Sequence, residues 1–76
     1  MAEVRLPELG EGIENAKVSF CYIKEGDRVA QDDDLVELVT DKATFNVSAT
    51  VPGVVKKILV IEGQEVKIGE TLVIME

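Results

Sequence analysis

Lys24-Glu25-Gly26-Asp27-Arg28-Val29 returns as Ile61-Glu62-Gly63-Gln64-Glu65-Val66, 37 residues further along the chain. Glu25/Glu62, Gly26/Gly63 and Val29/Val66 are identical within the unit. Val18/Val55, Leu35/Leu72 and Val36/Val73 extend the match on both sides at the same offset and without a gap. Such self-similarity, with glycine on glycine at a turn, implies two similar halves related by a pseudo-twofold axis. Two units are too few for a solenoid, whose repeats need stacked neighbours, and suit a small closed sandwich.

Read outward from this unit, each half is a strand, a Glu-Gly turn, a short loop and a strand. Val4 and Leu6 begin a first strand that Pro7 ends. Pro7-Glu8-Leu9-Gly10-Glu11-Gly12 is a loop whose glycines can take positive φ. Strands are expected over residues 16–23, 35–40, 43–49, 54–61 and 71–75, with Pro52-Gly53 breaking the chain between halves. Short β-branched runs with turn signals every roughly 8–12 residues indicate an all-β sandwich or barrel.

The repeat also decides which face is buried. Simple alternation would bury Val18, Phe20 and Tyr22, but the same positions in the second half are Val55, Lys57 and Leu59. Val18, Cys21 and Ile23 match Val55, Ile58 and Val60, apolar in both halves, and this set requires a bulge in each strand. Cys21 is therefore expected to be a buried apolar filler, with nothing basic beside it to stabilise a thiolate.

Composition narrows the function. Seventy-six residues make one small domain over 1–76, burying roughly 60–65% of its unfolded surface, too thin for a deep, dry active site. No apolar run is long enough for a membrane helix, and the start of the chain is no secretory signal. A net charge of −7 argues against nucleic acid and anionic membranes, which need a basic surface. It keeps a small domain soluble and monomeric, and leaves room for a protein partner with a basic groove. There is no histidine and one cysteine, so Cys/His metal clusters, Ser-His-Asp triads and Cys-His dyads are excluded. Phosphate-cradling glycine motifs are absent as well. Asp32-Asp33-Asp34 lacks the spaced ligands of a calcium loop and reads as solvated. The chain is expected to be non-catalytic by itself, with no metal.

Between Leu35-Val36-Glu37-Leu38-Val39 and Thr44-Phe45-Asn46-Val47-Ser48 lies Thr40-Asp41-Lys42-Ala43. A strand followed at once by another is a hairpin, and the Asp41 carboxylate is expected to bond nearby backbone amides. Lys42 would stand at the tip in solvent, midway between the repeated halves. An amine there can enter another enzyme's active site for acylation, and the modified arm could then sweep between sites.

Over essentially its whole length the chain resembles the lipoyl domains of the acyltransferase (E2) components of 2-oxo acid dehydrogenase complexes. Leu6-Pro7-Glu8-Leu9-Gly10-Glu11-Gly12-Ile13 is similar to the family's opening segment. Lys24-Glu25-Gly26-Asp27-Arg28-Val29 with Asp33-Asp34-Leu35 is similar to its first turn and loop. Glu37-Leu38-Val39-Thr40-Asp41-Lys42-Ala43 resembles its lipoylation hairpin. Gly53-Val54-Val55, Glu62-Gly63-Gln64-Glu65-Val66 and Gly69-Glu70-Thr71-Leu72 resemble its second half.

The resemblance implies a flattened β-barrel or sandwich of two four-stranded antiparallel sheets, with the hairpin at one end and the termini at the other. It implies lipoic acid amide-linked to Lys42, reductively acylated at E1, passing its acyl group to coenzyme A at the E2 core, and reoxidised at dihydrolipoamide dehydrogenase, E3. Thr40, Asp41 and Ala43 flank the lysine, and with Gly10, Glu11 and Gly12 in the loop of residues 10–15 they are the candidate surface for partner recognition. A lipoate ligase or lipoyl transferase is the implied modifying partner, and a dihydrolipoamide acyltransferase the implied parent chain. The implied location is the cytoplasm of a bacterium or archaeon, or the mitochondrial matrix of a eukaryote. Three positions depart from the family pattern: Thr50 with Pro52 before Gly53, Asn46 where an acidic residue is frequent, and Cys21 where a bulkier apolar residue is common. Phe20, Tyr22 or Phe45 is expected to cover the missing volume at Cys21.

Three other readings are weighed against this one. A biotin carrier domain typically holds its lysine between methionines, whereas Lys42 has Asp41 and Ala43, and the methionines are Met1 and Met75. An unmodified interaction module needs no Thr-Asp-Lys-Ala tip. The lipoylated glycine-cleavage carrier is substantially longer.

Overall fold

The computed structural model describes residues 2–76; Met1, the first residue of the expected 1–76 domain, lies outside them. Among the described residues there is no helix and there are eight strands: β1 (Ala2–Arg5), β2 (Asn15–Cys21), β3 (Arg28–Val29), β4 (Asp34–Val39), β5 (Thr44–Ser48), β6 (Gly53–Ile58), β7 (Glu65–Lys67) and β8 (Thr71–Met75). They form two four-stranded sheets, ordered β1-β8-β6-β3 and β5-β4-β2-β7, antiparallel throughout. Among the described residues no strand pairing joins the two sheets, so of the expected barrel or sandwich the fold is the open sandwich.

The 37-residue repeat is a structural symmetry. In the β2–β4 ladder Val18 faces Leu38, Phe20 faces Glu37 and Cys21 faces Val36. Adding 37 to each number gives the β6–β8 ladder: Val55 faces Met75, Lys57 faces Ile74 and Ile58 faces Val73. Both ladders carry the expected bulge, between Val18 and Phe20 and between Val55 and Lys57. The turns repeat even where side chains differ: Asp27 and Gln64 each accept a hydrogen bond from the backbone amide three residues before, and so do Asp33 and Glu70. Asp34 in turn accepts from Ser48, so two carboxylates of the acidic run are bonded within the fold.

Two strands lie where the sequence reads as short loop. β3 pairs with β6 and β7 pairs with β2, so each half lends its short strand to the other half's sheet. At two and three residues they are too short to show a period of two, and their partners are distant in sequence. The long strands run slightly shorter than expected; Ile23, Val60 and Ile61 follow their strands.

The core confirms the pairing. Among the described residues seventeen apolar residues are buried; sixteen form symmetric pairs, such as Val18/Val55, Val29/Val66, Leu35/Leu72, Val36/Val73, Leu38/Met75 and Ala49/Leu6. The seventeenth, Ala16, is matched by Gly53. Cys21 departs from expectation: it is half-buried, packed against the rim of the core. Its symmetry mate Ile58 is half-buried too, because the bulge swings both positions off the core axis. Partial burial and then the charge of Glu62 push the Cys21 thiol up, so it stays protonated and unreactive. Of the three aromatic residues expected to cover it, Phe20 and Tyr22 are largely exposed, with their rings edge to face at 5.0 Å, and Phe45 is half-buried.

Candidate functional site

β4 and β5 are joined by Thr40-Asp41-Lys42-Ala43, with Val39 and Thr44 the last ladder pair. A two-residue hairpin turn of the usual kind needs positive φ, and neither Asp41 nor Lys42 has it. The strain is avoided by a side chain. The Thr40 amide donates to the Ala43 carbonyl at 2.9 Å. The Thr40 hydroxyl donates to that carbonyl and accepts from the amides of Lys42 and Ala43, each at 3.2 Å. One donor and two lone pairs are all that a hydroxyl has, so Thr40 is fully engaged. This corrects the expectation for Asp41: its carboxylate is exposed and makes no hydrogen bond among the described residues, and the one-carbon-shorter reach of the Thr40 hydroxyl closes the turn instead.

Lys42 is exposed, and its amine has neither hydrogen bond nor ion pair among the described residues. An unpaired primary amine on a fixed backbone fits amide formation with a carboxylic acid. The pseudo-twofold carries this tip onto the place where β1 begins and β8 ends.

The loop before β2 leans on the tip. Ile13 donates its amide to the Gly10 carbonyl at 3.2 Å. Gly12, at φ 82°, occupies the position of this type II turn that calls for positive φ. A cleft of about 160 Å³ lies between Gly12, Ile13, Glu14 and Asn15 on one side and Thr40, Asp41 and Lys42 on the other. Of the sequence-derived candidates, Gly12, Thr40, Asp41 and Lys42 thus share one cleft. Gly10 and Glu11 sit in the same turn outside it, and Ala43 closes the tip beneath. Glu8, Glu11, Glu14 and Asp41 give this end an acidic cast.

Farther from the tip, Tyr22 donates to Glu37 at 3.1 Å and lies 3.4 Å from Asn46, while Ser19 donates to Glu37 at 2.8 Å. Glu37 and Asn46 are direct cross-strand neighbours. An acidic residue at position 46 would set two like charges opposite each other, so the departure to asparagine relieves a repulsion. Packing against the sheet surface, then the hydrogen bond to Glu37 and the charges of Glu37 and Asp34, raise the ionisation of Tyr22 above its ordinary value. The cleft walls Glu14 and Asn15 belong to the loop of residues 10–15 that the sequence offered, whereas Lys67 and Ile68 next to them were not singled out by sequence. The last two arrive through the exchange of β7, which leaves no local signal.

The family model described as "Biotin-requiring enzyme", which spans biotin and lipoyl attachment domains, matches residues 2–75. The acetyltransferase component of the pyruvate dehydrogenase complex from Staphylococcus epidermidis is 38% identical over 71 residues, 93% of this chain and 16% of that protein. Its counterpart from Staphylococcus aureus is 35% identical over the same share. The chain therefore spans about a sixth of the length of these relatives. Among solved structures, the lipoyl domain of the 2-oxoglutarate dehydrogenase complex from Azotobacter vinelandii superposes with a TM-score of 0.79 at 30% identity, covering 100% of this chain and 96% of that one. A domain of the urea carboxylase of Kluyveromyces lactis superposes at 0.84 with 21% identity, covering 99% and 6%, a likeness of fold alone.

Proposed function

The chain belongs to the biotin and lipoyl carrier family and, within it, to the lipoyl domains, and from that premise we propose that Lys42 carries lipoic acid and serves as the swinging arm of a 2-oxo acid dehydrogenase complex. The observation that carries this reading is the exposed, unpaired amine of Lys42 on a tip closed by the Thr40 hydroxyl. On attachment the neutral amine attacks the activated carboxyl carbon of lipoate. A C–N bond forms, the activating group leaves with its bonding pair, and the amine's proton passes to solvent. The net charge goes from −7 to −8, so the acidic end loses its central cation.

When bound, the group supplies a dithiolane that can be reduced, acylated and reoxidised. The protein holds the lysine backbone fixed, keeps the side chain in water, and offers Asp41, Ala43 and the turn at Gly10, Glu11 and Gly12 for recognition. The partners in this reading are E1, the E2 core, E3 and a lipoate ligase or lipoyl transferase, and the parent is a dihydrolipoyllysine acyltransferase. The complex would work in the cytoplasm of a bacterium or archaeon, or in the mitochondrial matrix. Biotin on the same lysine is the second reading, favoured only by the breadth of the family and opposed by the Asp41 and Ala43 flanks.

Incubation with a lipoate-protein ligase, lipoate and ATP, followed by intact mass and peptide mapping, tests the reading. A gain of lipoic acid minus water on Lys42 is expected. Lys42→Ala should abolish the gain while leaving stability within about 0.5 kcal/mol, as for an exposed side chain. A folded protein that takes no lipoate, or takes biotin from biotin ligase instead, refutes it.

A further inference from the structure

The pseudo-twofold is broken in one place beside the tip. Ala49 and Gly53 are four residues apart, whereas their symmetry mates Leu6 and Ala16 are ten apart. The first half thus carries six extra residues, and these belong to the loop that leans on Lys42. A groove of about 740 Å³ runs on from that loop, lined by Glu8, Ile13, Glu14, Asn15, Lys67 and Ile68. It shares the wall of Ile13, Glu14 and Asn15 with the cleft that Lys42 itself lines. The equivalent groove of the other half, bounded by Val29, Ala30 and Pro52 among others, has no counterpart of Ile13, and Gln31 stands where Ile68 would be.

In a fold whose core residues come in pairs, Ile13 and Ile68 are half-buried apolar side chains without mates. Ile68 packs on the edge of the core and Ile13 lies outside it, and together they flank a groove that opens from the lysine's own cleft. We infer that this groove is a resting seat for the neutral, apolar end of the acyl arm on Lys42, with Ile13 and Ile68 as its apolar walls. The inference rests on the attachment proposed above. Reach permits it: an extended lipoyl-lysine advances about 14 Å from Cα to the ring at ordinary bond lengths, whereas the three-residue shared wall spans at most about 10 Å. Charge gives an anionic occupant no advantage, because Glu8 and Glu14 outnumber Lys67 in the lining. A seat that is apolar on two sides and open to water can hold the ring between visits to partners and still release it.

The test compares backbone amide shifts of the ¹⁵N-labelled chain before and after ligase-catalysed lipoylation, with full attachment to Lys42 verified by mass. The expected result is shift changes at Ile13, Asn15, Lys67 and Ile68, none at Ala30 and Gln31 in the symmetric groove, and nuclear Overhauser contacts from the ring protons to the Ile13 and Ile68 methyls. Ile13→Ser, a loop substitution outside the paired core, should remove the contacts and shrink the shifts at Lys67 and Ile68. A fully lipoylated domain whose changes stop at residues 40–44 overturns the seat and leaves the groove to a partner's side chain or to water. Absence of the mass gain overturns the attachment, and the seat with it.

Discussion

Val18→Ala and Val55→Ala test the duplicated core most directly. Both side chains are almost fully buried, at 0% and 1% exposure, and each immediately precedes its strand's bulge. Each substitution removes two methyl groups, worth about 1.6 kcal/mol of transfer free energy. A cavity of roughly 50 Å³ adds about 1 kcal/mol if the neighbours do not close in, and less as they do. The expected loss is therefore on the order of 1–3 kcal/mol for each variant, a large share of the roughly 4–11 kcal/mol that 76 residues sustain. Urea unfolding followed by far-ultraviolet circular dichroism suits a chain without tryptophan. The midpoint should fall while the slope stays fixed, and melting should drop by about 4–8 °C per kcal/mol. Symmetry adds a further demand: both losses should fall within this range, differing only as the partners Leu38 and Met75 differ. Negligible loss in both variants would refute the core register. A large loss in one and none in the other would refute the equivalence of the halves.

Thr40→Val should cost at most about 1 kcal/mol, since water replaces the exposed hydroxyl's partners. It should nonetheless lower the kcat/KM of lipoylation several-fold by loosening the Lys42 backbone, and Thr40→Ser should restore the rate. Asp32 holds φ 74° where its symmetry mate Gly69 holds 89°. Asp32→Gly should therefore be neutral or stabilising by up to about 1 kcal/mol, and Gly69→Ala destabilising by about as much, both read by thermal melting. Tyr22, followed by its ultraviolet absorbance, should titrate above the value of free tyrosine, and Glu37→Gln should bring it down. Because the folded value is the raised one, its contribution to stability is complete below the unfolded value of about 10 and is lost as pH rises through the folded value.

The all-β class, the two halves, the bulges and the tip lysine were legible in the linear order of residues. Each leaves a local or periodic trace: a glycine at a turn, an apolar position repeated at a fixed offset, a lysine between two strand patterns. Lys57 opposite Phe20 in the repeat was enough to reject simple alternation. The tertiary structure decided what depends on segments meeting from afar. β3 and β7 exist because each finds an edge in the other half. Thr40 rather than Asp41 closes the tip because the turn's φ angles leave two amides within reach of its hydroxyl. Ile68 reaches the lysine's end because β7 crosses over to β2. Cys21 stops half-way into the core because a bulge rotates side chains by an amount that no apolar pattern encodes.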